Sequence, residues 1–148
     1  MEAIGLVASI ITLVSAASHA ASILERVLGL RGISLYVLGA INEVTDFKAT
    51  LVLLQTTLEE TQHQLPLDHR VEYDRLLDRS MGCINAFTKH LRKNVLRERE
   101  KAACADKAME LKRPGAGFVE NELRISDECD KLAGFARELW ISYCHWAK

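Results

Sequence analysis

Residues 33–65 read ISLYVLGAINEVTDFKATLVLLQTTLEETQHQL, and their apolar spacing decides the fold class. Apolar or small side chains recur at alternating steps of four and three residues, as in the seams of helical bundles and coiled coils. The members of this seam are Ile33, Val37, Ala40, Val44, Phe47, Leu51, Leu54, Leu58, Thr61 and Leu65. The spacing predicts one long helix over 34–64, with Ser34 as its N-cap and Pro66 ending it.

The same spacing recurs in two later segments, and an apolar segment over 1–30 precedes the first seam. A helix predicted over 68–103 has a seam of Leu77, Met81, Ile84, Thr88, Leu91 and Val95. A last helix predicted over 118–147 has a seam of Phe118, Ile125, Cys129, Leu132, Ala136, Leu139, Tyr143 and Trp146. The sequence therefore predicts an all-α, four-helix-type bundle with long antiparallel helices as a single domain over 1–148, with room for one short extra helix over 101–113.

Composition restricts the classes of function. The chain has 148 residues, 19 basic and 20 acidic, for a net charge of −1. This balance argues against a nucleic-acid partner and against a permanent polybasic membrane anchor. The four cysteines include no pair at C-x-x-C spacing, which argues against a zinc knuckle. We expect reduced thiols; the alternative is two disulfides in a secreted protein.

Catalytic signatures do not occur in the sequence. It contains no P-loop, dinucleotide-binding, nucleophile-elbow or zinc-protease motif, and its five histidines are scattered. His63 and His69 flank the Pro66 turn, where surface histidines are the ordinary interpretation. We therefore expect a protein that is not an enzyme and that uses no cofactor and no metal.

The first segment is unusual because residues 3–24 contain no Asp, Glu, Lys or Arg, and His19 is their one titratable side chain. About twenty apolar residues are enough for a helix to cross a bilayer. Three interpretations stay open: a buried core helix, a helix that enters membrane conditionally, and a secretory signal peptide. The last is disfavoured because Glu2 stands where a signal peptide needs positive charge.

Two groups of residues are candidates for contact with lipid or with other helices. Small residues at four-residue spacing allow helices to approach closely, in lipid or in a core. They are Gly5, Ala8, Ser9, Thr12, Ala16 and Ala20. Residues 89–113 hold nine basic and four acidic side chains, beginning with Lys89, Arg92 and Lys93. These are either solvated helix positions or contacts to anionic lipid headgroups.

The opening run MEAIGLVASIITL, residues 1–13, resembles the start of the HeLo-like domains. These are N-terminal domains of fungal NLR-type (STAND) proteins, related to the HeLo domain and to the four-helix bundle of mixed lineage kinase domain-like protein. The shared features are the acidic residue after Met1, the Gly/Ala/Ser-rich apolar helix, Glu25-Arg26 and a following heptad helix. The likeness is specific over about the first thirty residues and generic to about Leu96.

The resemblance implies an executioner of programmed cell death, of the kind that acts in heterokaryon incompatibility and innate immunity. Such a bundle is cytoplasmic until a sensor NLR or an amyloid-motif partner clusters it. Its N-terminal helix is then released, and self-oligomers bind anionic lipids and permeabilise the plasma membrane. The alternative is an adaptor bundle that binds other proteins and whose first helix never leaves the core.

Overall fold

The computed structural model describes residues 3–29, 35–60, 65–97, 101 and 116–146. They form the helices α1 (Ala3–Gly29), α2 (Leu35–Glu60), α3 (Leu67–His90) and α4 (Ala116–Trp146). A π-helical segment, Leu91–Leu96, continues α3 without a break. These residues include no strand, and the helices pack against one another, which confirms the predicted all-α bundle.

The seam of α2 is the centre of the core. Every predicted seam residue that lies within α2 is buried. These residues are Val37, Ala40, Val44, Phe47, Leu51, Leu54 and Leu58. Leu65, just before α3, is also buried, whereas Ile33 and Thr61 lie outside the described residues. The heptad spacing thus places one continuous stripe of α2 against the other helices.

Each helix contacts two neighbours along its length, so the four form a square. Helices α1 and α4 both pack on α2 and α3, which places α1 diagonally opposite α4 and α2 diagonally opposite α3. Helices α2 and α3, although consecutive in the chain, therefore lie across the diagonal from each other. This arrangement makes α1 and α3 neighbours, and the two run parallel: Ala8 lies beside Leu77, and His19 contacts Arg92.

Helices α3 and α4 run antiparallel, as the contacts between their outer residues show. Arg79 Nη1 lies 3.8 Å from Glu138 Oε2, and its guanidinium carbon lies 5.2 Å from the centre of the Phe135 ring. Nearer the other end of α3, Cys83 contacts Glu128. The buried residues of these two helices are mostly apolar, with Ser80, His90 and Ser142 as buried polar exceptions. The apolar ones are Tyr73, Leu76, Leu77, Ile84, Phe87, Ile125, Cys129, Leu132 and Leu139.

The π-helical segment departs from the predicted continuous α-helix over 68–103. A π-turn bonds each N–H to the carbonyl five residues back and so adds one residue to a turn. The predicted seam steps by four from Leu91 to Val95. In the structure Leu96, five residues after Leu91, is buried, and the side chain of Val95 lies outside the described part.

The helix boundaries differ from the predicted ones by a few residues. Pro66 is the residue immediately before α3, with φ −54° and ψ 146°, and its carbonyl accepts a hydrogen bond from Arg70 N–H at 3.0 Å. Helix α3 begins at Leu67 and α4 at Ala116, one and two residues before the predicted starts. The proposed extra helix over 101–113 lies outside the described residues, apart from Lys101.

Candidate functional site

One face of α1 is buried against α2 and α3. Its buried residues are Leu6, Ile10, Leu13, Ala17, Ala20, Ile23, Leu24 and Val27. By length and composition, the segment Gly5–Gly29 could cross a membrane, yet only 33% of its most apolar stretch is buried inside the bundle. Core helices of soluble proteins and signal sequences meet the same criterion, so length and composition alone do not identify a membrane helix.

The opposite face of α1 is exposed and carries no charge before Glu25. Ile11 is 50% exposed, and Ser15, His19 and Ser22 are exposed around it. An amphipathic core helix ordinarily places charged residues on its outer face. Because residues 3–24 lack a charged face, we expect this helix either to be buried on all sides or to be able to enter lipid. The structure shows that α1 is not buried all round.

Two of the five hydroxyl groups of α1, those of Thr12 and Ser18, are satisfied within the helix itself. Thr12 Oγ1 donates to the Ala8 carbonyl at 2.8 Å, and Ser18 Oγ donates to the Val14 carbonyl at 2.9 Å. Such bonds to the preceding turn remain intact wherever the helix goes, because both partners belong to it. In an apolar environment an unsatisfied polar group costs several kcal/mol, so these two bonds lower the cost of transferring α1 into lipid.

Three of the small residues line a shallow groove of about 230 Å³ between α1 and α3. Ala8, Ser9 and Thr12 form the α1 side. The α3 side consists of Leu77, Asp78 and Met81. The short side chains leave this gap open, so the groove marks where α1 and α3 meet at the surface of the bundle.

The remaining small residues lie in different surroundings. Ala20 is fully buried and Ala16 is half-buried against the core. Gly5 is exposed, and a Cβ atom built on it meets nothing within 4 Å. The structure therefore distributes the predicted contact residues over the core, the groove and the open surface.

His19 makes a direct contact with the basic region. Arg92 Nη2 lies 2.8 Å from His19 Nε2. A guanidinium has donors only, so Nε2 must accept this bond and the imidazole proton must lie on Nδ1. Both residues stand out in the sequence but their pairing does not, because it requires α1 and α3 to be neighbours, which apolar spacing does not determine.

The basic cluster, defined as Lys89, Arg92 and Lys93, lies at the end of α3 and in the π-helical segment. All three side chains are exposed. Among the described residues none of them forms an ion pair with a carboxylate. Their positive charge is therefore available to an anion from outside the bundle, and Arg92 brings it next to α1.

Two cysteines of the α3–α4 interface are protonated at neutral pH. Burial, followed by the nearby Glu128 carboxylate, raises the pKa of the Cys83 thiol to about 11, and its Sγ lies 3.7 Å from Glu128 Oε2. Burial, followed by Glu43, raises the pKa of Cys129 to about 12. Cys83, Cys129 and Cys144 are free thiols in the structure, and Cys104 lies outside the described residues. High thiol pKa values disfavour nucleophilic chemistry at Cys83 and Cys129.

His90 is the other titratable residue near the basic cluster. It is buried, and this burial together with Arg124 lowers its pKa, while Glu128 opposes the shift. The described part of the chain contains no group of three or more His, Cys, Asp or Glu side chains arranged to hold a metal ion.

A scan against protein-family models finds no match, and comparisons with curated proteins and with solved structures find none either. The resemblance of residues 1–13 to HeLo-like domains thus stays a prediction from the sequence.

Proposed function

We propose that this chain is a membrane-permeabilising, HeLo-like executioner bundle whose α1 leaves the bundle and enters lipid. The observation that supports this most is the exposed, uncharged face of α1. Its other face is apolar, so a released α1 presents no charge to lipid between Gly5 and Leu24. A charged side chain at the bilayer centre costs at least about 2.5 kcal/mol, and α1 avoids that cost.

The other helices are unsuited to the same step. The outer surface of α2 carries Asp46, Glu59 and Glu60, and that of α4 carries Asp127, Asp130 and Lys131. Each of these charges would have to be neutralised or moved to the interface before its helix could enter lipid. Among the described helices, α1 is therefore the one proposed to insert.

The basic cluster is proposed to hold the bundle at an anionic membrane surface. A basic residue near such a surface contributes about 1 kcal/mol, so three contribute about 3 kcal/mol. Because Arg92 contacts His19, binding through this cluster would place α1 next to the headgroups. The net charge of −1 keeps this attraction local and too weak for permanent anchoring.

Clustering is the proposed trigger, as the HeLo-like resemblance implies. A sensor NLR or an amyloid-motif partner would bring copies together in the cytoplasm, and the copies would then move to the plasma membrane. Self-association raises the local number of basic clusters, and multivalent attachment gains affinity without any new contact.

An adaptor function is the second candidate, and exposed apolar residues on α4 favour it. Leu123 is 59% exposed, Ile141 is 61% exposed and Trp140 is 47% exposed. Exposed aromatic and aliphatic side chains are common at protein interfaces. In this alternative α4 binds a partner protein and α1 stays in the bundle.

Dye leakage from vesicles separates these candidates. The purified protein is added to vesicles of neutral or anionic lipid, alone and fused to an inducible dimerisation domain. The executioner proposal expects leakage from anionic vesicles that increases sharply on forced clustering. If clustered protein binds anionic vesicles without causing leakage, the adaptor function is favoured.

A further inference from the structure

One hydrogen bond ties the exposed face of α1 to the π-helical segment. Arg92 Nη2 donates to His19 Nε2 at 2.8 Å. Within the described part of the chain, it is the one side-chain hydrogen bond found between residues 5–24 and another helix. Apolar contacts hold the rest of this stretch, and they do not depend on protonation. His19 is therefore the point at which a proton can change the attachment of α1.

The chemistry of this pair requires a neutral imidazole. Arginine stays protonated at all physiological pH values and can only donate, so the bond exists only while His19 Nε2 keeps its lone pair. Protonation turns both imidazole nitrogens into donors and removes the acceptor. It also places two cations in direct contact, which replaces an attraction by a repulsion.

Charged groups around the pair do not offset that repulsion. On α1 itself, residues 3–24 contain no Asp, Glu, Lys or Arg, and the next charged residues, Glu25 and Arg26, are exposed and opposite in sign. On the other side, Lys89 and Lys93 flank Arg92 and add positive charge. The charged residues of α2 are Glu43, Asp46, Lys48, Glu59 and Glu60, and in the described part of the chain none pairs with His19. His90 also titrates, but its charged neighbours Arg124 and Glu128 belong to α4.

We infer that the His19–Arg92 pair is a proton-operated latch, closed while His19 is neutral and opened when His19 is protonated, so that acid weakens the attachment of α1 to the bundle. Its biological purpose rests on the proposed membrane function, since α1 is the helix proposed to enter lipid; the His19 imidazolium must return its proton to water before that part of α1 enters the bilayer. The latch itself is a property of the bundle in water and can be measured without any membrane.

Hydrogen exchange of the intact protein in lipid-free buffer tests the latch. Protection factors of the α1 amides, corrected for the intrinsic exchange rate at each pH, are compared at pH 7.5 and 5.5. His19→Gln keeps an acceptor for Arg92 but cannot titrate, and His19→Lys carries a permanent positive charge. Ser15→Lys adds the same charge one turn earlier on the exposed face and is the matched control.

Acidification should lower α1 protection by about three- to tenfold in the wild-type protein, as expected for one lost hydrogen bond plus an exposed repulsion. His19→Gln should show a smaller acid response than the wild-type protein, whereas His19→Lys should show low protection at both pH values and Ser15→Lys should behave as wild type. Titration of His90 affects all variants equally and cancels in the comparison. An equal response in His19→Gln, full protection in His19→Lys at pH 7.5, or no acid response in the wild type would overturn the latch. These outcomes do not depend on whether vesicle leakage occurs.

Discussion

Replacing Ser15 by aspartate should abolish membrane insertion without disturbing the folded bundle. Ser15 lies near the middle of α1 and is exposed, so a carboxylate there stays in water while α1 is docked. Substitutions at such surface positions usually change the free energy of unfolding by less than about 0.5 kcal/mol. The resting protein should therefore keep its helix content and melting temperature.

The cost appears only when α1 enters lipid. An aspartate near the centre of a membrane helix costs about 2.5–3.5 kcal/mol on insertion scales. At about 1.36 kcal/mol per tenfold change, the insertion equilibrium falls roughly 70- to 400-fold for each helix. An oligomer that needs several inserted helices multiplies this loss, so leakage from anionic vesicles should fall below detection.

The assay compares Ser15→Asp with Asn85→Asp, which adds the same charge at an exposed position of α3. Circular dichroism and thermal melts verify the fold of both variants, and dye release under forced clustering measures activity. Asn85→Asp should leak like the wild type. Full leakage by a folded Ser15→Asp protein would refute insertion of α1.

Three further predictions concern other parts of the bundle. Gly5→Glu should stay folded, because a Cβ atom there meets nothing within 4 Å, and loss of helicity by circular dichroism would contradict this. Vesicle leakage by this variant should fall less than leakage by Ser15→Asp, because Gly5 lies near the helix end. Charge reversal of the whole basic cluster should weaken binding to anionic vesicles by more than tenfold with little change in melting temperature. Unchanged sedimentation with vesicles would mean that these residues are solvated and make no lipid contact. The raised pKa values of Cys83 and Cys129 mean that the native state holds these protons more tightly than the unfolded state does. The free energy of unfolding should therefore fall as pH rises above about 9 towards 11–12. Urea titrations should show a shallower decline in a Cys83→Ala/Cys129→Ala variant.

Periodicity was sufficient to predict the helices and much of the core. In α2 the buried positions follow the heptad from Val37 to Leu58, because α2 packs its one apolar stripe against α1 and α4. The same reasoning located Ile125, Cys129, Leu132 and Leu139 in α4. Local spacing fixes which side of a helix is buried.

Other features depend on how the helices are connected, and spacing does not determine that. The π-helical segment replaces the expected step from Leu91 to Val95, and its extra residue has no signature in the apolar pattern. The contact between His19 and Arg92 requires α1 and α3 to be parallel neighbours, an arrangement in which α2 and α3 lie across the diagonal from each other. The exposure of Ile11 follows from the same arrangement, since hydropathy alone would bury it.

The depth of α1 in a bilayer tests insertion most directly. In a cysteine-free background, an environment-sensitive fluorophore is attached at position 15 of α1 and, in a matched protein, at position 49, an exposed residue of α2. Both proteins are clustered on anionic vesicles whose lipids carry quenchers at known depths. We expect the label at position 15 to be quenched best near the bilayer centre and the label at position 49 to stay in water. A label at position 15 that stays in water while the same vesicles leak would contradict insertion of α1.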